Sequence, residues 1–288
     1  MIKNLSGLTA IITGASSGIG LHLAYTLAAE KTNLVLAARS EDKLNSLAES
    51  LQKKFGIKAL PMPTDVTNEQ QLRNLVVEAY SHFGIIDLLI NNAGIETYYP
   101  FEDIEIEQLK KTIDTNLTSA LILSRLVVPI MLQQRSGHII NMSSTAGKQG
   151  PAFGAAYGIS KAGLISLTQS LRAEFQGSGV SASVICPGFT NDGGIYERMK
   201  QQLGRGTPPL MGAASMNAVT NTVLKAIKHD KPECIVNWPP MRPVFTLSAA
   251  WPSLGEKLIR WGCFRFLKRV AKSRADAGKR TVRRRKAA

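Results

Sequence analysis

The sequence predicts a doubly wound α/β fold built on a mostly parallel sheet of about seven strands. Three observations predict it. Short β-branched apolar runs alternate with segments of helical periodicity along residues 1–238 of the 288-residue chain. The first run empties into a glycine-rich turn that opens a helix. Later runs end in Asn, Ser, Pro or Gly, which allow close backbone approach at the carboxyl edge of an open sheet, where such folds bind ligands. A composition of 44% hydrophobic and 19% charged residues is an ordinary globular balance.

The first strand is 8–13 (L-T-A-I-I-T), and it leads into T-G-A-S-S-G-I-G at 13–20. Gly14, Gly18 and Gly20 let the backbone turn tightly and approach a pyrophosphate, which then rests on a helix N-terminus. Ser16, Ser17 and Ile19 complete this candidate cofactor loop, and Leu23, Ala24 and Leu27 supply the helix after it. Residues 33–38 (N-L-V-L-A-A) form the second strand. An acid at its end would bond a ribose 2′-hydroxyl and favour NAD(H). Ala38 stands there and Arg39 follows, a pairing that suits a 2′-phosphate, so NADP(H) is expected ahead of NAD(H).

Residues 41–55 read as an amphipathic helix and 59–62 as the third strand. Asp65 and Val66 then open a polar stretch, with Thr67 and Asn68, that also reads as a helix cap. The fourth strand, 87–90, runs into Asn91-Asn92-Ala93-Gly94, small and amide residues suited to lie close to a ribose or neighbouring backbone. A long helix follows at 109–132, with Ile113, Leu117, Leu121 and Leu126 as its apolar series and Asn116 in its middle. A buried amide there is costly unless it is satisfied. The fifth strand, 138–142, ends at Ser143-Ser144; the sixth, 180–186, ends at Pro187-Gly188. A helix from Tyr157 to about Gln176 lies between them. Residues 189–216 read as a Gly/Pro-rich lid carrying Met199, Met211 and Met216. A helix at 218–228 and a seventh strand at 234–237 complete the sheet.

Tyr157 and Lys161 sit one helical turn apart, and Ser144 lies thirteen residues before Tyr157 across a Gly/Pro loop. Such a trio can handle a proton at a carbonyl or alcohol oxygen. A free phenol, with a pKa of about 10, is a poor base at neutral pH. A neighbouring ammonium favours the phenolate, so Lys161 is expected to lower the Tyr157 pKa.

The glycine loop, the N-N-A-G stretch, Asn116, the Ser144/Tyr157/Lys161 trio and Pro187-Gly188, in this order, resemble the short-chain dehydrogenase/reductase family over roughly residues 5–230. The resemblance implies a Rossmann fold, a nicotinamide cofactor and hydride transfer between it and a carbonyl or alcohol carbon. It implies a catalytic tetrad of Asn116, Ser144, Tyr157 and Lys161. It assigns adenine contact to Asp65 and Val66, ribose-side contact to Asn92, Ala93 and Gly94, and nicotinamide contact to Pro187, Gly188 and Thr190. The position where relatives place a Thr after this proline is Asp192 here. The resemblance also implies a homodimer or homotetramer paired through the helices carrying Asn116 and Tyr157. A nucleotide-binding regulatory or scaffold protein with little turnover is the alternative.

The three cysteines, Cys186, Cys234 and Cys263, suggest no disulfide framework and no metal site. With no signal-peptide pattern at 1–20, a cytoplasmic setting is expected. The basic charge is concentrated at one end: residues 256–288 hold 13 Lys/Arg against 2 Asp/Glu, and residues 1–255 hold 22 against 19. Residues 239–252 are apolar and broken by proline, and 254–272 can form a helix. That helix groups Ile259, Cys263, Phe266, Leu267 and Val270 opposite Lys257, Arg265, Lys268, Arg269 and Lys272. Such a helix can lie on an anionic membrane surface, which would suit a lipophilic carbonyl substrate. It can equally cap the substrate pocket or a partner subunit. No base-reading fold is visible, so no specific nucleic-acid contact is expected.

Overall fold

The computed structural model describes residues 2–191, 199, 201 and 212–287, excluding the side chains of 258–263 and 277–287. Most of the expected lid, with Asp192 and Met211, lies outside the described residues. Seven parallel strands form one sheet in the order β3-β2-β1-β4-β5-β6-β7. They are β1 (Thr9–Thr13), β2 (Asn33–Ala38), β3 (Ala59–Pro63), β4 (Leu88–Asn91), β5 (Gly137–Met142), β6 (Val180–Pro187) and β7 (Glu233–Val236). The strand order reverses between β1 and β4, which places the glycine turn beside Asn92-Ala93-Gly94 at the switch point.

Every residue of β1 is buried, because helices cover both faces of the sheet. Ala10 and Ile12 join one apolar layer and Ile11 the other, as the two-residue repeat of a strand requires. The first layer packs β1 and β2 on α1 (Gly18–Ala29) and α2 (Glu41–Phe55). The second packs the sheet on α3 (Glu69–Phe83) and the long helix before β5. The α3 cap is Asn68, whose side chain accepts from Gln71 N at 3.1 Å; Asp65 does not fill that role.

The long helix departs from its expected form. It comprises α4 (Ile106–Ile113), a π turn (Asp114–Thr118) and α5 (Ser119–Gln134). A π turn holds more residues than an α turn and so shifts the phase of the buried face. The expected apolar series is therefore not the buried one. Leu121 is 51% exposed, while Leu123, Val127 and Met131 are buried. The run is long and apolar enough to cross a membrane by length and composition, but half of its most apolar window is buried in the fold.

The helix expected from Tyr157 starts slightly earlier, after the short α6 (Thr145–Lys148), as α7 (Ala155–Glu174). α8 (Met216–His229) precedes β7. The segment expected to be broken by proline contains α9 (Arg242–Ala250), since Pro243 occupies the first turn, where its missing N–H costs nothing. The last helix, α10 (Pro252–Ala287), runs well past residue 272. At the crossing of α9 and α10, a Cβ on Gly255 would collide with Ser248.

Candidate active site

The glycine turn is built for close approach. Gly14 and Gly18 adopt φ of +67° and +53°, a region that favours glycine. A Cβ on Gly20 would collide with the Gly14 carbonyl. The Asn92 amide steadies the turn from the next strand, donating to Thr13 O at 2.9 Å, while Thr13 Oγ1 accepts from the backbone N–H of both Asn92 and Ala93 at 3.0 Å. Ser17 precedes α1 without a side-chain cap. A helix N-terminus behind a turn with glycine at its two positive-φ positions fits a dinucleotide pyrophosphate.

A cavity of ≈ 510 Å³ joins this turn to the Tyr157 region. Gly14, Ser17, Gly18, Ile19, Asn92, Ala93 and Gly94 line one part of it. Ser144, Tyr157, Lys161, Pro187, Gly188 and Thr190 line another. Ser16, Gly20, Arg39, Asp65, Val66 and Asn116 are not in its wall. Arg39 is exposed at the end of β2, and Val66 is packed in the core. The Asp65 carboxylate accepts from Thr67 N at 3.0 Å and Thr67 Oγ1 at 2.7 Å. These two bonds, and then the nearby Arg39, hold its carboxyl below the usual range.

Asn116 is a saturated amide. From the π turn it accepts from Ile95 N at 2.8 Å and donates to Ile95 O at 2.8 Å and to Ser160 Oγ at 3.0 Å. Gly94 fits between it and Lys161: a Cβ there would lie 3.3 Å from Asn116 Oδ1 and 3.4 Å from Lys161 Nζ. Asn116 thus fixes the strand-end loop and one flank of Lys161 together. Ser144 caps α6, accepting from Ala146 N at 3.2 Å and donating to Pro187 O at 3.3 Å, so its hydroxyl ties the ends of β5 and β6. Ser143 Oγ donates to Lys161 O at 2.6 Å, a support that the Ser-Ser pair did not reveal.

The electrostatics correct one expectation. Tyr157 and Lys161 are both buried. Burial pushes the phenol up to about 12, and the neighbouring Ser144 hydroxyl offsets this only in part. Burial pulls Lys161 down to about 8. The Lys161 ammonium donates to Met142 O at 2.8 Å and lies 5.8 Å from the Tyr157 ring centroid. Loss of solvent dominates both shifts, and the Glu96 carboxylate adds to the rise at Tyr157. The shift favours the protonated phenol at Tyr157.

Side chains from the C-terminal extension enter the same cavity. Phe264, Leu267 and Glu256 line it. Phe266, Leu267 and Val270 form an apolar cluster with Tyr98, Tyr157 and Met199. Of the apolar face that the membrane reading assigned to lipid, Phe266, Leu267 and Val270 are buried, and Leu267 lies on the cavity wall. The sequence shows the stripe but not what covers it. Arg274 pairs with Glu96, Nη2 to Oε1 at 2.6 Å, and Glu96 also lines the cavity. A separation of 178 residues hides that contact from any local pattern.

Comparison with known proteins agrees with this geometry. Residues 8–203 match the family model described as short chain dehydrogenase. The chain is 37% identical over 283 residues to a ketoacyl reductase, HetN, of Nostoc sp., covering 96% of this chain and 97% of that protein. Its fold is similar to a short chain dehydrogenase/reductase from Burkholderia phymatum in complex with NAD, with a TM-score of 0.77 and 27% identity, covering 87% of this chain and 96% of that one. It is also similar to an NAD⁺-bound xylitol dehydrogenase, with a TM-score of 0.73 and 25% identity, covering 82% and 100%. A parallel seven-stranded sheet, a glycine turn at its switch point, and Ser144, Tyr157 and Lys161 in one cavity with that turn accord with the family match: this chain belongs to the short-chain dehydrogenases and is an oxidoreductase that uses a nicotinamide dinucleotide.

Proposed function

We propose that the chain reduces a lipophilic ketone or aldehyde with NADPH. The observation that carries this reading is the neutral, buried Tyr157 phenol beside Ser144, in a cavity with largely apolar walls that continues to the glycine turn. A nicotinamide cofactor whose pyrophosphate rested at that turn would supply the hydride for the carbonyl carbon. Ser144 Oγ donates to the carbonyl oxygen and polarises it. Tyr157 gives its proton to the same oxygen as negative charge grows there. Lys161 holds the cofactor ribose and returns a proton toward Tyr157. Asn116 positions Lys161 through the Ile95 loop. Gly14, Ser16, Ser17, Gly18, Ile19 and Gly20 cradle the pyrophosphate. Asp65 and Val66 serve the adenine, and Pro187, Gly188 and Thr190 the nicotinamide.

The NADPH preference rests on exposed Arg39, at the β2 end where an NAD enzyme would carry an acid. The relative named ketoacyl reductase makes a ketoacyl thioester the first substrate class to try. Exposed Leu121 on α5 and Ile159 on α7 support pairing of two copies through those helices. We place the enzyme in the cytoplasm, with the extension serving the pocket rather than a membrane surface.

The test is consumption of NADPH and NADH against ketones graded by chain length and a 3-ketoacyl thioester. Tyr157→Phe should lower kcat by roughly 10²–10⁴-fold, the worth of a general acid, and still bind NADPH. Turnover retained by that variant overturns the proton-donor assignment. Arg39→Ala should raise KM for NADPH about tenfold and leave NADH nearly unchanged, as loss of one charge-assisted contact predicts. Equal effects on both cofactors refute the 2′-phosphate role.

A further inference from the structure

We propose that α10 is the specificity wall of the substrate cavity. Phe264 and Leu267 limit the length of apolar chain it accepts, and the Glu96–Arg274 ion pair is the positioning contact that sets them in place. The proposal rests on the carbonyl-reduction reading above and deepens it to a substrate class: ketones carrying an extended apolar chain.

Position comes first. Phe264 and Leu267 line the cavity that holds Tyr157 and Ser144, so α10 faces the substrate space and not only the protein core. The helix grips both loops that flank the proton donor. Phe266 meets Phe189 edge-on at 5.8 Å, just after Gly188. Phe264 meets Phe153, four residues before Tyr157, with the rings tilted by 43° and their centroids 5.5 Å apart. Val270 and Ala271 are 1% and 0% exposed, so the next turn of the helix is anchored as well.

The ion pair then sets the register. The Arg274 and Glu96 side chains are only 15% and 8% exposed. A buried pair adds little net stability over apolar packing but fixes the relative position of the two elements that carry it. Glu96 adjoins Ile95, whose N–H and C=O are both held by Asn116 at 2.8 Å. The pair thus ties α10 to the most firmly clamped loop of the site. Sliding α10 by one turn would move Leu267 by about 5.4 Å, several methylene lengths.

The chemistry of the walls names the ligand. Tyr98, Phe189, Phe264 and Leu267 present aromatic and aliphatic surface to the cavity. Met199 adds an adaptable thioether within the same cluster. Such a space favours an apolar body and measures its reach.

The experiment uses the full chain and 2-alkanones of four to twelve carbons. Affinity is measured by calorimetry with NADP⁺ bound, and kcat/KM with NADPH. Wild-type Kd should fall by up to about fourfold per methylene, then level off where the chain meets the wall. Leu267→Ala should move that break to longer chains and Leu267→Trp to shorter ones. Arg274→Met should lower the twelve-to-four-carbon affinity ratio at least tenfold, and adding Glu96→Gln should restore part of it. Thermal melting and NADPH affinity check each variant's fold; should Arg274→Met not fold, the opposed Leu267 shifts decide. A break at the same chain length in both Leu267 variants, or no binding of any alkanone to wild type, overturns the proposal. Chain-length-dependent binding without turnover refutes the reduction reading and leaves the wall standing.

Discussion

Tyr157 and Lys161 show how far a residue pattern reaches. Their spacing places both on one face of α7, and the structure brings both into one cavity. The sign of the phenol's shift does not follow from spacing. It depends on how much solvent each group loses, which is set by elements far apart in sequence. His138 makes the same point outside the site. It is 3% exposed, and Nε2 faces Ser183 Oγ at 2.9 Å. Burial pulls its imidazole down to about 4. A histidine depressed below its unfolded value of about 6.5 contributes stability that is present above pH 6.5 and lost as pH falls toward 4, because the unfolded chain binds the proton first. Lowering pH from 7 to 4.5 should therefore cost on the order of 2 kcal/mol at this residue. Urea unfolding at both pH values, in wild type and His138→Gln, checks this. Equal acid losses in the two proteins would refute the assignment.

Among elements, the π turn is one that periodicity missed. A helical wheel assumes a constant angle per residue, and a single wide turn between α4 and α5 breaks it. That turn delivers Asn116 to Ile95 and Ser160 with its amide satisfied, which explains how an amide survives in an apolar helix. Asn116→Ala removes three hydrogen bonds and leaves the Ile95 peptide without this partner. Unfolding free energy should fall by roughly 2–3 kcal/mol, at about 1 kcal/mol per bond. Denaturant titration checks it, and a loss below about 0.5 kcal/mol would mean that the clamp is dispensable. The glycine turn, by contrast, was legible. Its positive φ at Gly14 and Gly18 is a local property, while the approach of Asn92 and Ala93 to Gly14 comes from elsewhere in the chain.

At the scale of the whole molecule, the extension changes its meaning on folding. Its charge and apolar stripe are plain in the sequence, and both suit a membrane surface. In the structure its described positions Phe266, Leu267 and Val270 are buried against Tyr98, Tyr157 and Met199, and Leu267 lines the cavity. Truncation before Glu256 should uncover this cluster while the glycine turn and sheet still bind dinucleotide. Dye binding to exposed apolar surface should rise several-fold over the full chain; an unchanged signal would show that α10 does not cover the cavity. By itself the sequence determined the strand order of chemistry along the chain: the glycine turn, the strand-end residues and the Ser144/Tyr157/Lys161 trio, all set by short-range sterics and period. Only the tertiary structure decided the direction of the phenol's pKa shift, the phase of the Asn116 helix and the destination of the last helix. Each of these depends on which distant surfaces exclude water from one another, and no local pattern encodes that.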